Sequence, residues 1–379
     1  MRRIPFMTLA PREDAAEVRR AIERVVGSGW YVLGPEVEAF EAEFAAAMGG
    51  AASVGVGNGT DALALILRAL GIGAGDEVIT SPLSAAYSAL AIVMAGARPV
   101  FADIDPVRLT IDPEQIARAI GPKTRAIMPV HLYGQPADMD AIGRLASRHN
   151  LAVVEDCCQA HLATCGGRPV GTFGVAAAFS FYPTKNLGAL GDGGAVVTND
   201  RGLANRIKRL RNGGQSDRYH HVEPGINSRL DEMQAAVLRA RLPFLAGWTA
   251  RRRELAAQYR AALAGVGPAI GVQPELDPGH VYHLFVVRAA DRAALQRRLI
   301  EDQIETLIHY PIPIPRQPAM ADARPAECPA ANRACEEVLS LPLHPGLSNE
   351  DVNTVAAALK RGRTPFSETS GTKKGYGPI

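Results

Sequence analysis

Three short stretches hold residues that could do chemistry if the fold brings them together. In "SFYPTKNLGALGDGG" (180–194), Lys185 stands between a strand-like run and a glycine-rich stretch. A lysine there is either a solvated loop residue or an amine held out of water so that it can act as a nucleophile. In "LAVVEDCCQAH" a strand-like run ends in Glu155 and Asp156. One of these carboxylates would lie at the carboxyl edge of a sheet, where wound α/β domains bind ligands. Taken alone, the pair reads more simply as a solvated strand end or a helix cap. In "NGTDAL" a helix start offers unpaired backbone N–H groups and the Thr60 hydroxyl to an anion. Ser180 and Lys185 would add a hydroxyl and an amine on the far side of the sheet. Each signal is weak by itself, and together they ask for one ligand with an anionic group, a basic nitrogen and a carbonyl.

Pyridoxal 5′-phosphate (PLP) has all three. Its ring nitrogen must stay protonated to draw electrons from a carbanion, and a buried carboxylate beside it, here Asp156, raises that nitrogen's pKa. Its aldehyde condenses with a lysine amine that has lost its proton, which requires a desolvated lysine. A zinc reading of Cys157, Cys158 and Cys165 fails on ligand spacing.

The elements that must position these groups can be read along the chain. Leu63, Ile66, Leu67 and Leu70 form one apolar face of a helix whose cap region is Asn58 to Thr60. "EVIT", "RPVFADI", "RAIMPV", "LAVVED", "AAAFSFY" and "GAVVTND" read as strands, and "AAYSALAIVMAG", the stretch after Asp112–Pro113, "MDAIGRLASRHN" and "LANRIKRLRN" as helices between them. This alternation predicts a wound α/β domain. Near Arg229 the texture changes to two long helical stretches leading to a second, smaller α/β layer. The expected division is 1–245 for an N-terminal arm and large domain and 246–362 for a small C-terminal domain. Residues 363–379 lack apolar periodicity and are expected to be disordered. The 379 residues carry a formal net charge of +2, and the basic residues are interspersed with acidic ones, so no nucleic-acid partner is expected. No apolar run reaches membrane-spanning length. "MRRIPFMTLAPRED" lacks the continuous apolar stretch of an export signal. The five cysteines, two of them adjacent, argue against a disulfide framework and for a reducing cytoplasm.

With these motifs in this order, the chain resembles the DegT/DnrJ/EryC1/StrS family of fold-type I PLP enzymes, the aminotransferases of nucleotide-sugar and antibiotic-sugar biosynthesis. The resemblance runs from about Leu33 to about Leu347 through "LGPEVEAFEAEFA", "NGTDALALILRALGIGAGDEVIT", "IMPVHLYGQPADMDAI", "VVEDCCQAH", "FSFYPTKNLGALGDGGAVVTND", "GINSRLDEMQAAVL" and "HYPIPI". It implies a large domain with a mostly parallel sheet flanked by helices, plus a smaller C-terminal α/β domain. It makes Lys185 the Schiff-base lysine, Asp156 the partner of the pyridine nitrogen and Gln159 the partner of the ring hydroxyl. Gly59, Thr60 and Ser180 would hold the phosphate. Asn227 would reach the phosphate of a neighbouring subunit, which implies a homodimer with shared sites. Arg229, His309 and Tyr310 fall in segments that border the sugar site in relatives.

The implied reaction moves an amino group from glutamate or glutamine to a keto sugar, foremost a nucleotide-linked keto-deoxysugar, without a metal. A keto-cyclitol acceptor and a non-catalytic PLP-binding regulator are the alternatives. The related dehydratase branch carries a histidine where this chain has Lys185. The sequence departs from the family pattern at three places. Ala85 stands where relatives commonly place an aromatic ring against the cofactor, with Tyr87 as a nearby candidate to cover that face. Gly213 replaces a histidine and Leu162 a glycine.

Overall fold

Apolar strands separated by amphipathic helices can bury both faces of one sheet, and the chain does so. The computed structural model describes residues 2–10, 12–267, 269–320 and 328–361. Strands β1 (Ala52–Val56), β2 (Glu77–Thr80), β3 (Arg98–Phe101), β4 (Thr124–Met128), β5 (Ala152–Asp156), β6 (Ala176–Ser180) and β7 (Gly194–Thr198) form a seven-stranded sheet in the order β1-β7-β6-β5-β4-β2-β3. Only β7 runs against its neighbours. Side chains alternate between the faces. Val154, Ala176, Ala178 and Val196 pack beneath three helices, α3 (Gly59–Ala69), α4 (Tyr87–Met94) and α7 (Arg201–Leu210). On the other face, Ile79, Ile127 and Val153 meet α5 (Pro113–Ala119) and α6 (Met139–His149). Ala177, Phe179 and Val197 there meet Phe40, Phe44 and Leu238 of α2 (Pro35–Met48) and α8 (Glu232–Arg241).

The expected arm thus contains regular structure. α1 (Ala15–Ser28) lays Val18, Ala21 and Val25 inward and meets Ala236 of α8. α2 begins at Pro35 and buries Val37, Phe40, Phe44 and Met48 at helical spacing.

A smaller antiparallel sheet is built from β8 (Ile270–Val272), β9 (Phe285–Ala289) and β10 (Val338–Leu341). Helix α9 (Leu245–Ala262) enters both cores: Leu245 packs with Phe40 and Leu238, and Leu255 and Tyr259 pack with Phe285 and Leu339. α10 (Arg292–Glu301), α11 (Pro329–Glu337) and α12 (Asn349–Arg361) complete this layer. The chain's start belongs here too. Ile4 exchanges backbone hydrogen bonds with Gln303 and Glu305 at 2.9 and 3.0 Å and sits in the same core as Val352 and Leu359. The tail expected to be disordered lies outside the described residues.

The strand order corrects one expectation. β6 pairs directly with β5, Asp156 opposite Ala178, so Ser180 lies at the same carboxyl edge as Asp156 and not on the far side. Glu155 points to the opposite face and is fully buried. Its Oε1 accepts from Phe173 N and Gly174 N at 2.8 and 2.7 Å, and its Oε2 from Gly171 N at 2.7 Å. His131 Nδ1 accepts from Ala137 N, so Nε2 carries the ring proton and donates to Glu155 at 3.2 Å. His131, Glu155 and Cys157 are close enough to suggest a metal cluster, but these bonds already occupy the imidazole and the carboxylate. Glu155→Ala would strand the buried amide of Gly171, the half-buried amides of Phe173 and Gly174 and a buried imidazole, and we expect a loss of about 3 kcal/mol or more. Urea unfolding of parent and variant checks this, and coincident midpoints would show that the carboxylate is dispensable.

Candidate active site

Three loops at the carboxyl edge of the sheet converge. The first follows β5. Asp156, 6% exposed, accepts from the Ser88 hydroxyl at 2.7 Å through Oδ2 and from Cys158 N at 3.1 Å through Oδ1, so its carboxylate is held at both oxygens. Gln159 Oε1 accepts from Tyr133 N at 2.7 Å, and its Nε2 donates to the Tyr310 hydroxyl at 3.1 Å. Burial pushes the Tyr310 hydroxyl up to about 12, so it keeps its proton. Tyr133 reaches on to the carbonyl of His309, whose ring stacks on Phe6 and meets the Ser340 hydroxyl at 2.9 Å.

The second loop carries Lys185. It is a tight turn, with Lys185 N bonded to Tyr182 O at 2.8 Å and Ala189 N to Phe181 O at 2.7 Å. A Cβ on Gly188 would lie 2.5 Å from Pro183 O, so glycine is required. Asn186 anchors the turn through Val281 O and His283 Nδ1, each at 3.2 Å. Burial pulls the Lys185 amine below the usual lysine range, opposed by Cys158 and Asp156. Burial, with Lys185's charge second, also lowers His161 to about 3, His309 to about 4 and His283 well below its ordinary value. The lysine therefore has three imidazoles nearby that are neutral at neutral pH.

The third loop starts α3. Asn58 Oδ1 caps Asp61 N at 2.9 Å, which leaves the amides of Gly59 and Thr60 as the first-turn donors for an anion. A Cβ on Gly59 would meet Cys158 Sγ at 2.8 Å and Ser180 Cβ at 2.9 Å. The helix start is thus pressed against the other two loops. Ser228 ties it further: its hydroxyl donates to Asp61 Oδ2 at 2.6 Å and accepts from Gly57 N at 3.0 Å.

The structure therefore gathers Gly59, Thr60, Asp156, Gln159, Ser180, Lys185, His309 and Tyr310. Asn227 and Arg229 take another course within this chain. Asn227 is exposed and bridged to Asn212, and Arg229 Nη1 donates to Asn212 Oδ1 at 3.1 Å. Ala85 is half-buried, and Tyr87, the candidate cover, is 62% exposed at the start of α4. Leu162 has φ 62°, which explains why glycine suits that position. At Gly213, φ is +72° and the His221 ring lies 3.1 Å from where a Cβ would be. Sequence reasoning missed Ser88, Tyr133, Asn186, His161 and His283. Ser88, Tyr133, His161 and Asn186 stand inside quoted motifs, whereas His283 carries no local signal.

Comparison with known proteins agrees with this geometry. The model of the DegT/DnrJ/EryC1/StrS aminotransferase family matches residues 12–360. The chain is 51% identical to the erythromycin biosynthesis sensory transduction protein EryC1 of Saccharopolyspora erythraea over 95% of this chain and 99% of that one. It is 50% identical to a dTDP-3-amino-3,4,6-trideoxy-alpha-D-glucose transaminase of Streptomyces venezuelae, covering 94% and 96%. The crystal structure of S. venezuelae DesV, in complex with an intermediate, superposes with a TM-score of 0.92 at 50% identity, covering 96% and 99%. The chain belongs to the DegT/DnrJ/EryC1/StrS aminotransferase family, whose cofactor is PLP.

Proposed function

We propose that this protein transfers the amino group of glutamate or glutamine to the keto carbon of a nucleotide-linked deoxysugar, working as a homodimer. The observation that carries the reading is the convergence of Lys185, Asp156 and the start of α3 at one sheet edge. The residues fit PLP: the approach of Gly59 to Ser180 that no side chain could share makes a backbone cradle for a phosphate, and Asp156 offers a fixed carboxylate. The transaminase of S. venezuelae supports a dTDP-linked substrate. Among the described residues no helix is long and apolar enough to cross a membrane. Cys157, Cys158, Cys165 and Cys335 are free thiols, which supports the reducing cytoplasm as its location.

When bound, PLP supplies an aldehyde to carry the amino group and a ring that draws electrons from the carbon losing its proton. The chain's residues do the rest. Gly59 and Thr60 amides with the Thr60 and Ser180 hydroxyls hold the phosphate, and Asp156, fixed by Ser88 and Cys158 N, pairs with the ring nitrogen. Gln159 faces the ring hydroxyl with its amide held by Tyr133 and Tyr310. Lys185 Nζ, more readily neutral because it is buried, would take the proton from the donor's α-carbon and return it at the cofactor's aldehyde carbon. The neutral His161, His283 and His309 do not repel the lysine when it is charged. Arg229, His309 and Tyr310 border the sugar, and Asn227 completes the phosphate site of the partner subunit.

The direct test is conversion of glutamate to 2-oxoglutarate with a panel of keto nucleotide sugars. A protein that binds PLP but converts no donor would be a regulator. Lys185→Ala should abolish turnover and the visible band that borohydride fixes onto the lysine, with far-ultraviolet circular dichroism unchanged; parental turnover would refute the lysine's role. A second outcome follows from the depressed amine pKa. Below its folded-state pKa the buried ammonium is a full penalty on the native state, and the penalty fades as pH rises toward the unfolded value of about 10.4. Cofactor-free Lys185→Met should therefore melt above the parent near neutrality, with the gap closing in alkali. A gap independent of pH would show that the amine is not desolvated. Finally, mixed Lys185→Ala and Asn227→Ala subunits should recover activity above either variant alone, since one site of the heterodimer has neither lesion. No recovery, with subunit exchange verified by mass, would place Asn227 in its own chain's site or outside both.

A further inference from the structure

A second set of groups near Lys185 has no part in the chemistry above. A cavity of about 200 Å³ is lined by Lys185 and Asn186 on one side and by Arg12, Arg252, Trp248 and His344 on another. Arg252 is 3% exposed. Its Nη1 donates to the carbonyls of Tyr282, His283 and Leu343 at 3.2, 3.2 and 2.9 Å, but its Nε meets no acceptor among the described residues. Arg12 lies over the Trp248 ring at 5.5 Å, and its buried Nη1 likewise meets none. Neither guanidinium forms an ion pair among the described residues, whereas Arg241 in the same wall is paired with Asp14 at 2.8 Å. His344 is 4% exposed and forms no hydrogen bond of good geometry there, although the Pro5 carbonyl lies near its ring. Burial, and after it the charge of Arg12, pulls Arg252 down to about 9, the effect expected of two cations sharing a poorly solvated place.

Unpaired buried cations are costly unless an anion joins them. The cavity of about 200 Å³ has room for several waters, enough for the carboxylate end of an amino acid. We infer that this cavity receives a carboxylate of the amino donor, with Arg12 and Arg252 as countercharges and His344 as a neutral hydrogen-bonding group. The inference rests on the aminotransferase reading, because the shared wall with Lys185 is what makes the guest a donor.

The test separates the two half-reactions of the holoenzyme. In Arg12→Gln, single-turnover conversion of the cofactor by glutamate should need about tenfold or more donor to saturate. The return half-reaction with keto sugar should move by about twofold or less. Arg12→Lys should fall between parent and Arg12→Gln. Glutarate, which has the carboxylates but no amine, should compete with glutamate in the parent and do so more weakly in Arg12→Gln. Unchanged glutamate saturation, weakening confined to the sugar half, or failure of glutarate to compete would overturn the inference. Should Arg12→Gln misfold, glutarate competition in the parent decides. A parent that binds glutarate, protected by Arg12, yet converts no amino donor would overturn the aminotransferase reading and leave the carboxylate site standing.

Discussion

Two adjacent carboxylates at the end of one strand organise the molecule. Because side chains on a strand alternate, Glu155 and Asp156 face opposite sides of the sheet although only one peptide separates them. Glu155 gathers the 171–174 loop and His131 beneath the sheet. Asp156 is gripped by Ser88 and Cys158 N above it. The bonds that stabilise β5 from below therefore also fix the height and direction of the group above. A slip of one residue in β5 would exchange the two roles and leave both unfilled.

The site is built by close approach more than by strong single bonds. Gly59 against Ser180 and Gly188 against Pro183 admit no side chain, so the helix start and the lysine turn are set to within a fraction of an ångström. Electrostatics are equally constrained. The imidazoles near Lys185 are kept neutral by burial, with the lysine's charge in second place. A lysine in that company is poised to move a proton without a charged imidazole beside it.

Much of this was legible from local sequence. The strand that presents Asp156 and the capped helix start at Asn58 follow from short-range patterns, since β-alternation and capping act over a few residues. PLP was inferred from groups that are individually commonplace, and the order of motifs gave them force. What could not be read is pairing across long separations. Gln159 is held by Tyr310 from 151 residues away and Asn186 by His283 from 97 away, and no local pattern encodes either. The side of the sheet occupied by Ser180 is not legible for the same reason, because strand order is a tertiary property. The residues before Asn58, expected as an arm, fold into α1 and α2, where Val37, Phe40 and Phe44 keep a helical period.

Residues 2–4 and helix α12 finish the same core. Ile4 packs with Val352, Val355 and Leu359 of α12, and Arg2 pairs with Asp351 at 2.9 Å. During synthesis Ile4 therefore waits for its backbone partners Gln303 and Glu305, and then for α12 to emerge and pack against it. The sheet with Lys185 can be assembled long before that, so a nascent chain passes through a stage in which the catalytic lysine is present but the layer roofing it is not.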